Sequence, residues 1–208
     1  MIGNMGSAVG SDAVAGGAAA PGAGGIVSRP RLFERLGASA RVTVVSAPPG
    51  SGKTVLLRSW ISQAGAAGSV AWVTVRRGER DPQQFWLSIL GALRQTASGL
   101  VLVQPLTAAP DLDGWAIAER LLTDLAPLQD RINLVIDDLH ELAPAEAQRQ
   151  LELLVMRAPE ELRFVLATRH DVQLGLHRLR LEGELAEIRG PDLRFTVAEA
   201  EELFDAAG

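Results

Sequence analysis

Short apolar runs alternate along this chain with longer segments whose apolar residues recur at helical spacing. Runs rich in β-branched residues predict four buried strands, at 41–46, 70–75, 132–136 and 163–168, and 185–189 is a candidate fifth strand. Strands that alternate with helices are typical of a parallel sheet covered by helices on both faces. The pattern therefore predicts one three-layer α/β domain, and 208 residues are enough for one such core.

Five helices are predicted between and after these strands. Asp81 and Pro82 indicate one helix start, because an acidic N-cap followed by a proline at the first helical position is favoured there. Apolar residues recur every three or four positions after them, and similar spacing predicts helices at 55–63, 115–125, 145–156 and 197–206. Residues 97–111 are expected to form a loop.

The composition excludes several classes of protein. No apolar run approaches the roughly 20 residues that a membrane-spanning helix needs, so no membrane association is expected. The formal net charge of −5 provides no general attraction to nucleic acid, and we expect no DNA binding by this chain alone. The absence of cysteine excludes disulfides and thiolate zinc sites, and it suits a reducing, cytoplasmic location.

The most informative segment joins the first predicted strand to the helix that follows. Residues 47–54 read Ala-Pro-Pro-Gly-Ser-Gly-Lys-Thr, and Lys53 is the only lysine among twenty basic residues. The spacing is that of a phosphate-binding loop, with alanine where the first glycine is usual. In such a loop consecutive backbone N–H groups and a helix N-terminus face the phosphates. The alternative, an ordinary Gly/Pro turn, does not explain a lone lysine at this position.

This motif predicts a bound nucleotide and assigns roles to individual residues. Lys53 is expected to reach the β- and γ-phosphates, and the Thr54 hydroxyl is expected to coordinate Mg²⁺. A guanine-reading Asn/Thr-Lys-x-Asp motif requires a second lysine, so the sequence favours ATP or ADP over guanine nucleotides. The residues expected to contact the nucleotide along this segment are Pro48, Pro49, Gly50, Ser51, Gly52, Lys53, Thr54 and Val55.

Two adjacent acids follow the third predicted strand. Ligands bind beyond the carboxyl ends of parallel strands, which is where Asp137 and Asp138 lie. Asp137 is expected to hold Mg²⁺ through a bound water molecule. Asp138 is expected to orient or deprotonate the attacking water. The alternative is that either acid only caps a turn.

Arg169 ends the fourth predicted strand at the same edge of the sheet. Its guanidinium is positioned to contact a γ-phosphate, and the alternative is a surface arginine paired with Asp171. The three histidines have no paired metal-ligand spacing and are expected on the surface or in loops. The aromatic residues expected in the core, and not as a base-stacking platform, are Trp72, Phe85, Trp86 and Trp115.

Several segments together resemble one family, from about Val27 to the end of the chain. They are residues 28–36, 47–54 and 70–75, the Asp-Pro-Gln-Gln-Phe-Trp helix start at 81–86, and Asp-Asp-Leu-His at 137–140 with Leu-Ala-Thr-Arg at 166–169. In these segments the chain resembles the nucleotide-binding domain of the large ATP-dependent LuxR-type (MalT-like) transcriptional regulators. Those regulators are signal-transduction ATPases with numerous domains, the STAND class.

The resemblance carries further expectations. It implies a P-loop NTPase sheet with strand order 5-1-4-3-2, Arg29 and Pro30 near the adenine, and Arg169 as a sensor of the γ-phosphate. It implies slow ATP hydrolysis in a switch that holds ADP at rest, exchanges it for ATP and then self-associates. Family members continue into lid, sensor and DNA-binding domains, and this chain is expected to be a fragment or truncated product that lacks them.

The expected domain organisation has three parts. Residues 1–25 are Gly/Ala-rich and are expected to form a disordered leader, residues 26–192 the nucleotide-binding domain, and residues 193–208 the start of a truncated helical or lid region. Two other functions remain open from the residues alone. One is a stand-alone P-loop ATPase or kinase of unknown substrate, and the other is an inactive remnant.

Overall fold

The computed structural model describes residues 28–38, 40–63, 67–77, 81–106, 113–171 and 174–207. The predicted leader at 1–25 lies outside the described residues. Five parallel strands form one sheet in the order β2-β3-β4-β1-β5, which read from the other edge is the expected 5-1-4-3-2. The strands are β1 (Val42–Ser46), β2 (Val70–Thr74), β3 (Ile132–Asp137), β4 (Leu162–Thr168) and β5 (Leu185–Arg189).

Helices cover both faces of this sheet, as the alternating pattern predicts. They are α1 (Pro30–Gly37), α2 (Lys53–Gln63), α3 (Pro82–Leu93), α4 (Ala97–Leu102), α5 (Gly114–Leu125), α6 (Ala145–Arg157), α7 (His177–Leu181) and α8 (Val197–Ala207). Short 3₁₀ helices occur at Ala67–Ser69, Leu139–Glu141 and Gly190–Leu193. No helix in the described part of the chain is long and apolar enough to cross a membrane.

The core lies in two layers separated by the sheet. The larger layer packs α3, α5 and α6 against one face, with Trp86 and Ile89 completely buried. The smaller layer packs α1 and α2 against the other face through Leu57, Trp60 and Val165. Because both faces are covered, the central strands are apolar along most of their length, which is why they appear as continuous runs in the sequence.

Strand register brings the candidate site residues to one edge of the sheet. Ser46 at the end of β1 pairs with Thr168 of β4, and Asp137 at the end of β3 pairs with Thr74 of β2. Since all strands are parallel, the loops that follow β1, β3, β4 and β5 leave from the same edge of the sheet.

Two predictions about local structure are wrong. Residues 97–102 form α4 and not a loop, because Thr96 caps the helix by accepting from the Gly99 N–H at 3.1 Å. Exposed Leu100 and Val101 hide the helical pattern of this segment. Trp115 is exposed and its indole N–H donates to Glu146, so it does not belong to the core with Phe85 and Trp86. Trp72 is only half-buried.

Candidate functional site

The loop between β1 and α2 has the backbone geometry that its glycines predict. Gly50 and Gly52 have φ values of 75° and 83°, and no atom lies within 4 Å of a Cβ built at either position. The left-handed backbone, and not lack of space, therefore requires glycine at both positions. Pro48, Pro49, Gly50 and Ser51 line an open cleft of about 730 Å³ beside the N-terminus of α2.

Lys53 begins α2 and its ammonium group lies within the loop. Its Nζ donates to the carbonyls of Ala47 and Pro48 at 2.7 and 3.0 Å and lies 3.5 Å from Ser51 Oγ. Burial lowers the pKa of Lys53, and Asp138 opposes this by attracting the charge. The lysine is therefore held within the loop by acceptors that a phosphate oxygen can replace.

Thr54 and Asp137 are in direct contact beside the loop. The Thr54 hydroxyl donates to Asp137 Oδ2 at 2.9 Å, and the Asp138 N–H donates to Asp137 Oδ1 at 3.0 Å. Asp137 is 2% exposed, and burial raises the pKa of its carboxyl although the Thr54 hydrogen bond lowers it. A hydroxyl and a carboxylate oxygen together suit a hard divalent cation such as Mg²⁺.

These two side chains do not complete a metal site alone. The described residues contain no group of three or more His, Asp or Glu side chains arranged to hold a metal. Mg²⁺ is usually held in nucleotide sites by one or two protein ligands together with phosphate oxygens and water. Thr54 and Asp137 therefore fit a cation that arrives with a nucleotide.

Mg²⁺ is expected to increase the affinity for ATP. Replacing Thr54 by valine is expected to make this increase about tenfold smaller, equivalent to ~1.4 kcal/mol. The methyl group keeps the shape of threonine but removes the oxygen that would contact the cation. Calorimetric titration of ATP with Mg²⁺ and with EDTA measures this gain. Thr54→Ser, which keeps the hydroxyl, is the control, and an unchanged gain in Thr54→Val would contradict the assignment.

Asp138 occupies an unusual backbone position at the mouth of the site. Its φ and ψ of 55° and 36° lie in the left-handed region, which Asp and Asn tolerate better than most residues. Its half-buried side chain forms no capping hydrogen bond to the 3₁₀ helix Leu139–Glu141, so the alternative of a turn cap is not observed for this residue. Its carboxyl oxygen Oδ1 lies 3.9 Å from the ring nitrogen Nδ1 of His140.

Arg169 follows β4 and lines the same cleft as the phosphate-binding loop. It forms no ion pair with any residue that the structure describes, and Asp171, its alternative partner, instead lies 3.7 Å from Arg189. Its charge helps to lower the pKa of Lys53, which reflects their proximity. The arginine is therefore exposed to a ligand, as a phosphate sensor requires.

Two further arginines of the cleft were not predicted. Arg189 ends β5 and Arg194 follows the 3₁₀ helix Gly190–Leu193, and both line the cleft opposite the loop. Arg189 could have been found by the reasoning that identified Arg169, since each lies at the carboxyl end of a strand. Arg194 has no such signal, because its position depends on how the chain turns after β5.

A second, more apolar cavity of about 270 Å³ adjoins the cleft and shares Gly50, Ser51 and Leu193 with it. Its other described lining residues are Arg29, Phe33, Gly52, Val55, Leu56, Ser59 and Phe195. Its position beyond the phosphate-binding loop suits a nucleoside base. Val55, which was expected to contact the nucleotide, is 60% exposed beside this cavity, whereas Pro30 begins α1 and is not among the lining residues.

Arg29 is buried and acts as a clamp between the N-terminal segment and the residues after β5. Its guanidinium donates to the carbonyls of Leu193 and Arg194 at 2.8 and 2.7 Å and to both Glu199 oxygens at 3.2 Å. It also lies 4.8 Å from the centre of the Phe195 ring. Most of its donors are thus engaged by the chain, and it shapes the wall of the second cavity.

Glu199→Gln is expected to lower the free energy of unfolding by about 1.5–3 kcal/mol at pH 7, the range for a hydrogen bond to a charged group. Burial raises the pKa of Glu199, but hydrogen bonds from Thr196 and Arg29 outweigh it, so the pKa lies below its ordinary value. The carboxylate therefore stabilises the fold above the unfolded-state pKa of about 4.3, and this contribution is lost as the pH falls further.

Urea denaturation of both proteins across this pH range measures the difference. The exposed neighbour Glu201 provides the control substitution Glu201→Gln, which should change stability little. A difference between wild type and Glu199→Gln that persists unchanged at low pH would contradict the assigned ion pair.

The histidines are only partly as expected. His170 and His177 are exposed, but the His140 side chain is 9% exposed, and burial lowers its pKa. The His140 and His170 rings meet edge to face at 6.1 Å beside a separate cavity of about 200 Å³. His140 is buried because the 3₁₀ helix after Asp138 turns it back toward the sheet, which residue spacing does not reveal.

A phosphate-binding loop between a parallel strand and a helix, with an acid at the end of a nearby strand, defines a P-loop NTPase domain. A family model described as an AAA domain matches residues 36–174, and the chain belongs to this family. Membership in the AAA family implies nucleotide binding.

The curated relatives include the serine/threonine-protein kinase PknK of two Mycobacterium tuberculosis strains and of Mycobacterium bovis. Each is 32% identical over 192 residues, which cover 89% of this chain and 17% of the relative. The chain thus spans about a sixth of the length of these relatives.

Solved structures share the fold at low sequence identity. They include Cdc6p from Pyrobaculum aerophilum (TM-score 0.55, 19% identity, 86% of this chain and 49% of that chain). The Aeropyrum pernix ORC1 protein in complex with DNA gives a TM-score of 0.57, 19% identity and coverage of 86% and 47%. A STAND protein with a tetratricopeptide repeat sensor from Pyrococcus horikoshii gives a TM-score of 0.52 and 16% identity. The match covers 85% of this chain and 24% of that chain.

Proposed function

We propose that this chain is the ATP- and ADP-binding switch domain of a cytoplasmic LuxR-type (MalT-like) transcriptional regulator, and that it hydrolyses ATP slowly. The observation that carries the nucleotide assignment is the continuity of two cavities across Gly50 and Ser51. One cavity is rich in arginine and backbone N–H groups and suits phosphates, and the other is apolar and suits a base. The regulator assignment rests on the Asp-Pro-x-x-Phe-Trp and Asp-Asp-Leu-His motifs.

Each residue of the site has a role in this proposal. Residues 48–52 present backbone N–H groups, Lys53 contacts the β- and γ-phosphates, and Arg169 senses the γ-phosphate. Thr54 and Asp137 hold the Mg²⁺ that accompanies the nucleotide, and a bound cation supplies neutralisation of developing phosphate charge. Asp138 orients or deprotonates the attacking water.

The remaining parts of the function belong to the proposal as well. Residues 26–192 form the nucleotide-binding domain, and residues 193–208 form the start of a helical or lid region. Arg29 supports the base cavity through the segment 193–199 instead of contacting the base with free donors. Self-association in the ATP-bound state and transcriptional activation belong to the full-length protein, and DNA binding does not belong to this chain alone.

ATP is expected to bind at least about tenfold more tightly than GTP. Guanine has a ring N–H donor in addition to an amino group, whereas adenine has only the amino group, and no acidic side chain is among the described residues that line the base cavity. A buried, unpaired donor costs about 1–3 kcal/mol, which is roughly one to two factors of ten in affinity. Calorimetric titration with ATP, ADP and GTP in Mg²⁺ tests this, and equal affinities for ATP and GTP would contradict the proposal.

Two substitutions, one at the N-cap of α1 and one within α1, test the part of the site that is proposed to bind the base. Arg29→Ala should weaken ATP and ADP by similar factors, because the base is common to both nucleotides. Arg31 is exposed on α1, so Arg31→Ala is the matched control and should leave both affinities unchanged.

A further inference from the structure

Three consecutive residues after β5 border both cavities of the nucleotide site. Leu193 lines the phosphate cleft and the second cavity, whereas Arg194 lines the cleft and Phe195 lines the second cavity. The backbone at Arg194 is extended, with φ and ψ of −65° and 140°. Because successive side chains of an extended chain point in different directions, segment 193–195 presents a cation to one cavity and an aromatic ring to the other.

Arg194 is a cation of the cleft that lacks an acidic partner. Its exposed side chain forms no hydrogen bond or ion pair with any residue that the structure describes. Arg189 lines the same cleft but is engaged by Glu187 at 3.2 Å and lies 3.7 Å from Asp171. No acidic side chain is among the described residues that line the cleft. A phosphate group would supply the acceptors that the Arg194 guanidinium lacks.

Phe195 is a large aromatic side chain that remains 51% exposed beside the more apolar cavity. The guanidinium of Arg29 lies over its ring, 4.8 Å from the ring centre. Aromatic side chains stack on nucleobases of any type, because every base has a π-face. The exposed part of the Phe195 ring is thus available to a nucleobase in this cavity.

Arg29 fixes the backbone of the segment. It donates to the carbonyls of Leu193 and Arg194 at 2.8 and 2.7 Å, and Leu193 itself is buried. These contacts use main-chain oxygens, so they leave the Arg194 side chain free for a ligand. A segment whose backbone is already fixed loses less conformational entropy when a ligand binds.

We propose that Arg194 and Phe195 divide the recognition of the nucleotide between them: Arg194 contacts the phosphates and Phe195 stacks on the base. This inference rests on the proposed nucleotide-binding function and adds two specificity-determining residues to it. A nucleotide that spans both cavities would contact both side chains at once, because they are adjacent in the chain.

The test compares Mg-ATP with Mg-tripolyphosphate, which has the phosphates but no base. Their affinities for the full chain are measured by displacement of a fluorescent ATP analogue, corrected for the affinity of each variant for the analogue. Arg194→Gln is expected to weaken both ligands by about fivefold, the effect of an exposed charge-assisted contact. Phe195→Leu is expected to weaken ATP by about tenfold, within the range for base stacking, and to leave tripolyphosphate unchanged.

Three further variants are controls. Phe195→Tyr keeps an aromatic ring and should bind ATP as wild type does. Phe204→Leu makes the same change as Phe195→Leu at a residue that is 75% exposed on α8, and Arg120→Gln neutralises an exposed arginine on α5. Both should leave the affinities for ATP and tripolyphosphate unchanged. Urea denaturation of each preparation confirms that the variants are folded.

The outcomes separate this inference from the proposed function. Wild-type protein that binds neither ligand would overturn the proposed function, and the inference with it. Wild-type binding of ATP with no loss in Arg194→Gln and Phe195→Leu would overturn the inference alone. Equal losses in Phe195→Leu and Phe195→Tyr, or weaker tripolyphosphate binding in Phe195→Leu, would overturn the stacking role. Failure of tripolyphosphate to displace the analogue from wild type would overturn the role of Arg194.

Discussion

Lys53→Ala is expected to weaken ATP binding by about ten- to hundredfold, the largest effect on affinity of any single substitution in this chain. The ammonium group lies within the phosphate-binding loop, held by the Ala47 and Pro48 carbonyls. A charge-assisted hydrogen bond contributes about 1.5–3 kcal/mol, and ~1.4 kcal/mol corresponds to one factor of ten in affinity. Calorimetric titration of ATP against both proteins measures the loss.

The same two carbonyls make a stability control necessary. Removing Lys53 leaves the Ala47 and Pro48 carbonyls without their side-chain donor, so unfolding in urea should be recorded for the same preparations. Arg58→Ala removes an exposed cation from the same helix and should leave ATP affinity at the wild-type value. If a folded Lys53→Ala variant binds ATP as tightly as wild type, residues 47–54 do not bind phosphates.

Asp138→Asn is expected to leave ATP affinity near wild type and to lower turnover by about 10²–10⁴, the range for removal of a general base. The substitution suits the position because asparagine, like aspartate, tolerates the left-handed backbone with φ of 55°. It therefore removes the charge and the proton acceptor without straining the turn after β3.

Phosphate release measured under single-turnover conditions, together with ATP affinity, distinguishes chemistry from binding. Asp130→Asn makes the same chemical change at the opposite edge of the sheet and should leave both quantities unchanged. Wild-type hydrolysis in Asp138→Asn would assign the water-activating role to another group. Loss of ATP affinity in this variant would instead indicate that Asp138 contacts the nucleotide in the ground state.

Some parts of the site could be predicted because they are local in the sequence. Residues 47–54 are contiguous, so their conformation follows from the glycines at 50 and 52 and from the strand and helix on either side. Asp137, Asp138 and Arg169 could be predicted nearly as well. Each lies at the end of a strand, and all strands of a parallel sheet end at one edge.

Other parts depend on which elements are neighbours in space. Periodicity predicts five strands but not their order, which came from the resemblance to a family and is confirmed by the structure. The clamp between Arg29 and Glu199 joins residues 170 positions apart. No local pattern marks such a pair, because both residues are ordinary surface-type residues in the sequence.

Exposure was the least predictable property. Trp115 and the α4 residues Leu100 and Val101 are exposed, whereas His140 and Arg29 are largely buried. Hydrophobicity sets only an average tendency toward burial, and the packing of neighbouring elements decides each case.

The sequence by itself determined the strand–loop–helix that forms the phosphate-binding loop, its lone lysine, and the acids at the end of β3. These features depend on residues close together in the chain and on the common direction of the strands. Only the tertiary structure decided that Arg189 and Arg194 line the same cleft as the loop, and that Phe195 lines the neighbouring cavity. Those arrangements depend on strand order and on the path of the chain after β5, which contacts between distant residues determine.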